Sequence, residues 1–205
     1  MQLLFRPVWL VSISFAMRHK YDTRGIVLSR IPLGEANALV TILTPELGLV
    51  YARAQGVRNP GAKLSAALTT FAESSVILVR GKEGWRIVGA VLEESWFDRI
   101  EIFSSRKRAA RISGLLIRLV AGEVRDPALF SIIRGFFEAL ATLPDDAHEA
   151  AEMLAALRTL SVLGLDAGEI PGEPAVFTVS ELAVIGEERT NYVARINRGI
   201  TASGL

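Results

Sequence analysis

The chain has no cysteine and only two histidines, His19 and His148, among its 205 residues. The first absence excludes disulfides, thiolate nucleophiles and any cysteine-ligated zinc or iron–sulfur centre. The second leaves His-based metal sites and catalytic triads almost without material. No Gly-rich phosphate loop, nucleophile elbow or metal-ligand cluster can be picked out. Glu93 and Glu94 are adjacent in a predicted strand, so they point to opposite faces and cannot act as a carboxylate pair. A hydrolase or transferase is therefore the third reading, behind two binding functions, and no cofactor and no metal are expected. Aromatic residues make up only 7% of the chain, and there is no internal repeat or low-complexity tract. The apolar run Val8 to Ala16 is too short to span a membrane, which takes about 20 helical residues, and no membrane partner is expected. That N-terminal stretch admits three readings: a short secretory signal, a strand belonging to the fold, or an early start with Met17 as the true beginning. MRHKYDTRGIVL begins polar and runs straight into a good strand, which favours the last.

What is present is apolar residue in quantity, half of the chain, enough to build a packed core. The net charge of +1 conceals an asymmetry. Residues 1–63 carry 8 Lys and Arg against 3 Asp and Glu, and residues 104–118 carry 5 against 0. Residues 123–189 carry 4 against 13. A basic front half beside an acidic second half suits a protein that meets a polyanion on one side, and such fields also serve solubility alone.

From Arg24 to Leu92 the hydrophobic period is that of strands. GIVLSRI, ALVTIL and LVYARAQGV are followed by AKLSAALTTF, where Leu64, Leu68 and Phe71 recur at helical spacing, and then by SSVILVRG and WRIVGAVLEES around a loop at Gly81–Gly84. Three strands, a short helix and two strands is the order of the five-stranded Greek-key barrel called the OB-fold. After Trp96 the period becomes helical. Ser104 and Ser105 are placed to cap a helix whose stripe is Ile112, Leu115, Leu116 and Leu119, with Lys107, Arg111 and Arg118 on its flank. Asp126 and Pro127 open a second helix that Pro144 stops. A third follows Asp146 and ends at Gly164. IPGEPAVFTVSELAVI reads as a loop with some strand character. ERTNYVARINRG closes the chain as a helix presenting Tyr192, Val193, Ile196 and Ile200. The fold class is thus α+β, with an extension over 1–20, a barrel over 21–98 and a helical domain over 99–205.

The stretch YARAQGVRNPGAKLSAAL places Arg53, Arg58 and Lys63 on the third strand and the loop behind it, with no acidic residue between them. In an OB barrel the second and third strands and their loops form the groove for single strands. Positive charge spaced along such a path binds phosphates, and Arg24 and Arg30 on the first strand would extend it. Backbone N–H groups near Gly61 are available to phosphate oxygens. The other reading is a solvated face. Only Tyr51 supplies an aromatic ring in the right stretch, since Trp85 and Trp96 suit a core or an interface.

The succession TRGIVLSRIPLGEANALVTILTPELGLVYARAQGVRNPGAKLSAALTTF resembles the N-terminal domain of the bacterial recombination mediator family RecO. It shows an early Gly-Ile-Val-Leu strand, a Gly-Glu-Ala entry to the second strand, and an Ala-x-Gly-x-Arg segment at Ala54 to Arg58 leading to a basic loop. VILVRGKEGWRIVGAVLEESW is similar to the family's fourth and fifth strands. DPALFSIIRGFFEAL, LRTLSVLGL and INRGITASGL are similar to its later helices, so that the resemblance covers most of residues 21–205. The resemblance implies a cytoplasmic, nucleoid-associated mediator without turnover. It would bind single- and double-stranded DNA, anneal strands, associate with RecR, and recognise the acidic tail of the single-strand-binding protein to help RecA replace it. It places DNA contacts at Arg24, Arg30, Arg53, Arg58 and Lys63. An acidic tail ending in Phe calls for a basic rim around an apolar pocket, and Lys107, Arg108 and Arg111 are the candidates. Many members hold a four-cysteine zinc site before the C-terminal segment; this chain has GEIPGEPAVFTVSELAV there and no cysteine. An adaptor that keeps the fold without DNA binding is the competing reading.

Overall fold

The computed structural model describes residues 19–59, 61–62 and 64–204. The expectations about residues 1–16 and Met17, and the position of Lys63, lie outside the described residues.

Five strands come first: β1 (Lys20–Leu33), β2 (Asn37–Thr44), β3 (Gly48–Ala54), β4 (Ala72–Gly81) and β5 (Gly84–Ser95). They close into a barrel in the order β1-β2-β3-β5-β4, antiparallel except where β3 runs parallel to β5 over Ala52–Ala54 and Trp85–Ile87. This is the OB arrangement read from the element order. The period of two is visible in what each strand buries. Val40, Ile42, Val50, Ala52, Val76 and Leu78 fill the barrel, while Ile26, Leu43 and Leu49 face the other way and join the core of the helices. In β1 the alternation continues, with Val27 in the barrel and Ile26 and Leu28 in the helical core, and a bulge between Val27 and Ser29 shifts the register with β2.

The helices follow as α1 (Trp96–Arg99), α2 (Phe103–Leu119), α3 (Pro127–Thr142), α4 (His148–Val162), α5 (Val179–Glu187) and α6 (Arg189–Ala202). Asp126 caps α3 by accepting from the N–H groups of Ala128 and Leu129, with Pro127 at the first helical position, as its sequence signature predicts. Gly164 adopts φ 71° after α4. It donates to Ser161 O, and Leu165 N donates to Leu160 O, a Schellman ending that requires the left-handed region.

Three local expectations are corrected. The helix expected over AKLSAALTTF is a single 3-10 turn at Ala66–Leu68. Leu68 belongs to the barrel core, whereas Phe71, at φ 67°, packs in the helical core. The residues that suggested one helical face thus serve two different cores. Ser104 and Ser105 do not cap α2, which begins one residue earlier with Ile102 at the N-cap and no side-chain cap bond. Ser105 is buried and spends its hydroxyl on Nδ1 of His148 at 2.7 Å. IPGEPAVFTVSELAVI contains a helix, α5, held by a capping box between Thr178 and Glu181.

Two carboxylates tie the barrel to the helices. Glu73 of β4, 1% exposed, accepts from Arg24 at 2.5 Å and from the Trp96 indole at 3.1 Å, with Arg134 of α3 at 3.4 Å. Glu123, on the connection before α3, accepts from Arg80 at 2.6 Å and from the Trp85 indole at 2.7 Å. The same connection presses on the β2–β3 turn, where Gly48 has φ 69° and a Cβ would collide with the Val124 carbonyl. No described helix is long and apolar enough to cross a membrane.

Candidate nucleic-acid interface and partner groove

β3 presents its face by alternation. Val50, Ala52 and Ala54 point inward, which turns Tyr51 and Arg53 outward. Arg53 stands in register with Leu39 on β2 and with Arg86 on β5. Arg86 lies between buried Trp85 and Ile87, so it also faces out. Two guanidinium-bearing positions therefore sit side by side on the outer wall. Arg53 donates to Glu83 at 2.8 Å in an exposed pair, the kind worth less than about 1 kcal/mol and open to exchange for another anion.

A second pair gathers at the end of the barrel. Arg58 donates to Gly34 O at 2.6 Å. Arg30 donates to Val57 O at 3.2 Å and to Ser65 O at 3.3 Å. Bonds to carbonyls orient a guanidinium without neutralising it. Neither arginine has a carboxylate partner among the described residues. Both line a cleft of about 290 Å³ with Pro32, Ala38, Thr69 and Thr70. Two positive forks and two hydroxyls in one small cleft are complementary to phosphate.

The five residues read from the sequence are thereby sorted. Arg30 and Arg58 converge, and Arg53 lies on the adjoining wall. Arg24 is six positions before Arg30 on the same strand, about 20 Å away at strand rise, and is committed to Glu73. Lys63 is not among the described residues. Arg86 was missed, although the alternation Trp85-Arg86-Ile87 marks it as outward; what the sequence does not display is the β3–β5 pairing that sets it beside Arg53. Tyr51, exposed on β3, offers a ring for stacking.

The helical lobe holds a groove of about 630 Å³ between α2, α4 and α6. Ile112, Leu115, Met153, Ala156, Ile196 and Ile200 form its apolar lining, and Arg111, Arg118 and Glu152 its polar rim. Of the three rim candidates, Arg111 lines the groove. Arg108 is partly buried and donates to Glu152 at 2.7 Å. The Lys107 ammonium sits 4.5 Å from the exposed Phe103 ring. Arg118 belongs to the groove although the rim expectation did not include it. Arg111 donates to Glu152 through Nε at 2.5 Å and Nη2 at 2.6 Å, and that bond holds its pKa above the ordinary arginine value.

The segment expected to replace a zinc site is organised by an arginine. Arg158, 3% exposed, donates to the carbonyls of Pro171, Pro174 and Val176 and lies 4.6 Å over the Phe177 ring. Burial lowers its pKa, partly opposed by Glu181 at 3.6 Å. A fixed cation at the centre of the segment, with no thiolate in the chain, does not fit a zinc ion there.

Comparison with known proteins agrees with this architecture. The family described as "Recombination protein O N terminal" matches residues 17–94. A DNA repair protein RecO of Dehalococcoides mccartyi is 30% identical over 122 residues, 60% of this chain and 48% of that protein. Proteins of the same name from Acaryochloris marina and Synechococcus elongatus are 41% identical over 80 residues and 32% identical over 107. These matches cover 39% and 52% of this chain, and 27% and 35% of those proteins. The chain thus spans about half or less of the length of the curated relatives it matches. The match begins at the residue from which MRHKYDTRGIVL leads into β1 and runs to Glu94 near the end of β5, so it is the barrel of this chain that is similar to the N-terminal domain of the RecO family.

Proposed function

We propose that this chain is a DNA repair and recombination mediator that holds single- and double-stranded DNA by its phosphates on the barrel and docks protein partners on the helical lobe. The observation that carries the reading is the convergence of Arg30 and Arg58 on one cleft without a carboxylate partner among the described residues, beside Arg53 and Arg86 on the adjoining wall. The match of the barrel to the RecO N-terminal domain and the relatives' name, DNA repair protein RecO, supply the biological setting. The chain acts by binding, without turnover, in the cytoplasm alongside the nucleoid. Strand annealing follows from holding two backbones on one basic face. In the wider reading it works with RecR to help RecA onto DNA coated by single-strand-binding protein. The groove with Arg111 and Arg118 on its rim receives that protein's acidic, Phe-ending tail.

The test is the affinity of the full chain for a fluorescent single strand across a salt series, repeated with Arg30, Arg58 and Arg86 changed to Glu. Each phosphate contact contributes about 0.7 to the salt slope on single strands. The triple variant should therefore bind more weakly and with a slope smaller by about 2. Affinity and slope indifferent to the three changes would leave the adaptor reading, which the apolar groove supports.

A further inference from the structure

Three side chains on the groove rim form an unusual set. Glu152 of α4 is shared by two arginines of α2, Arg108 through one bond and Arg111 through a fork of two. One arginine would suffice to brace α2 against α4. Two guanidinium groups converging on one carboxylate make a seat with a strong preference for an anion. Glu152 lines the groove and its side chain is 16% exposed, while Arg111 is 57% exposed, so the seat opens toward solvent on the Arg111 side. Three residues upstream on the same helix, Glu149 is engaged elsewhere, with Arg189 of α6 at 2.8 Å. Arg118, about two turns further along α2 than Arg111, has only a long bond to the Gly114 carbonyl and no carboxylate partner among the described residues.

We infer that Glu152 is a built-in competitor for the groove: its carboxylate fills the anion seat that an acidic peptide needs when its apolar C-terminal residue enters between α2, α4 and α6. The inference rests on the groove reading given above and adds the residue that sets its affinity and selectivity. An incoming peptide meets Arg118 first and then competes with Glu152 for Arg111. The competitor weakens binding of acidic peptides in particular. A neutral peptide has no claim on the seat and gains little when Glu152 is neutralised.

The experiment uses the full chain and two fluorescent peptides, one Asp-rich and ending in Phe, the other with each Asp changed to Asn. Glu152→Gln should bind the acidic peptide about tenfold more tightly than the unaltered chain, with a steeper salt dependence, and leave the neutral peptide unchanged. Arg118→Glu should weaken the acidic peptide. If Glu152→Gln does not fold, as judged by its melt, Glu152→Asp takes its place, since a shorter carboxylate cannot reach both arginines and should give a smaller gain of the same kind. Equal or weaker acidic-peptide binding by the Glu152 variant overturns the inference, and if Arg118→Glu still weakens binding the groove reading survives. Absence of peptide binding by every variant overturns both.

Discussion

Asp166 and Arg195 show what one ion pair contributes when it is nearly sealed from water. Asp166 follows the end of α4, and Arg195 of α6 reaches it through Nη2 at 2.5 Å and Nε at 3.2 Å, with side chains 9% and 10% exposed. The hydrogen bond from Arg195 holds the Asp166 carboxyl below its usual value of 3.8. A carboxyl depressed in the folded state contributes stability that is complete above its unfolded pKa and disappears as pH falls through the folded one. Asp166→Asn should therefore cost roughly 3 kcal/mol at neutral pH, because it strands a buried guanidinium. The gap between wild-type and variant Tm should close as pH drops below about 4, and a gap independent of pH would contradict the assignment. The same residue scale limits what charge in a sequence reveals. Arg24 and Arg30 look equivalent in TRGIVLSR, yet Arg24 is taken by Glu73, 49 positions away, and Arg30 faces a cleft with Arg58. Phosphate affinity depends on which arginines lack a partner, and partners distant in the chain are set by the fold.

Elements were legible where one face had one destination. The alternation of Val50 to Ala54 in β3 and the Asp126–Pro127 start of α3 are local signals that the structure matches, in burial for the strand and in the cap for the helix. The misread segments had divided duties: Leu68 and Phe71 serve opposite cores, so their spacing imitated one face of a helix where the chain forms only the 3-10 turn Ala66–Leu68. For α5 the signal was present and outweighed. Thr178-x-x-Glu181 is a capping box, but the preceding Pro and Gly residues and the β-branched Val and Ile suggested extended chain. The reciprocal bonds are made, Glu181 N to the Thr178 hydroxyl at 3.3 Å and Thr178 N to the Glu181 carboxylate at 3.0 Å. With nine residues, α5 has little helical stability of its own. Thr178→Ala should lower stability by about 1 kcal/mol. Hydrogen exchange should show the loss concentrated over Val179–Glu187, and unchanged protection there would mean that packing of Leu182 and Ile185 alone holds the helix.

At the scale of the molecule, the uneven charge of the chain suggested two lobes with different duties, and the element order suggested a boundary near residue 98. It could not show how the lobes are joined, because the joining residues come from the outward side of barrel strands, where alternation alone predicts solvent. Ile26, Leu28, Leu43, Leu49 and Phe71 are buried in the core of the helices instead, and Phe71 meets Phe137 edge to face at 5.1 Å. At about 2 kcal/mol for each large apolar side chain, this shared surface is worth on the order of 10 kcal/mol, comparable with the whole stability of a domain. Glu73 adds a buried carboxylate whose donors come from β1, α1 and α3. Neither lobe should then unfold while the other persists. In a Trp9→Phe background, fluorescence reports on Trp85 at the barrel and Trp96 at the junction, while far-UV circular dichroism follows mainly the helices. The two denaturation curves should coincide in midpoint and steepness. Glu73→Gln should move both together to lower denaturant, because Arg24 and Arg134 lose the charge they share. Separate transitions, or a Glu73→Gln shift confined to one probe, would mean that the lobes are independent domains and that the buried face between them contributes far less than its area suggests.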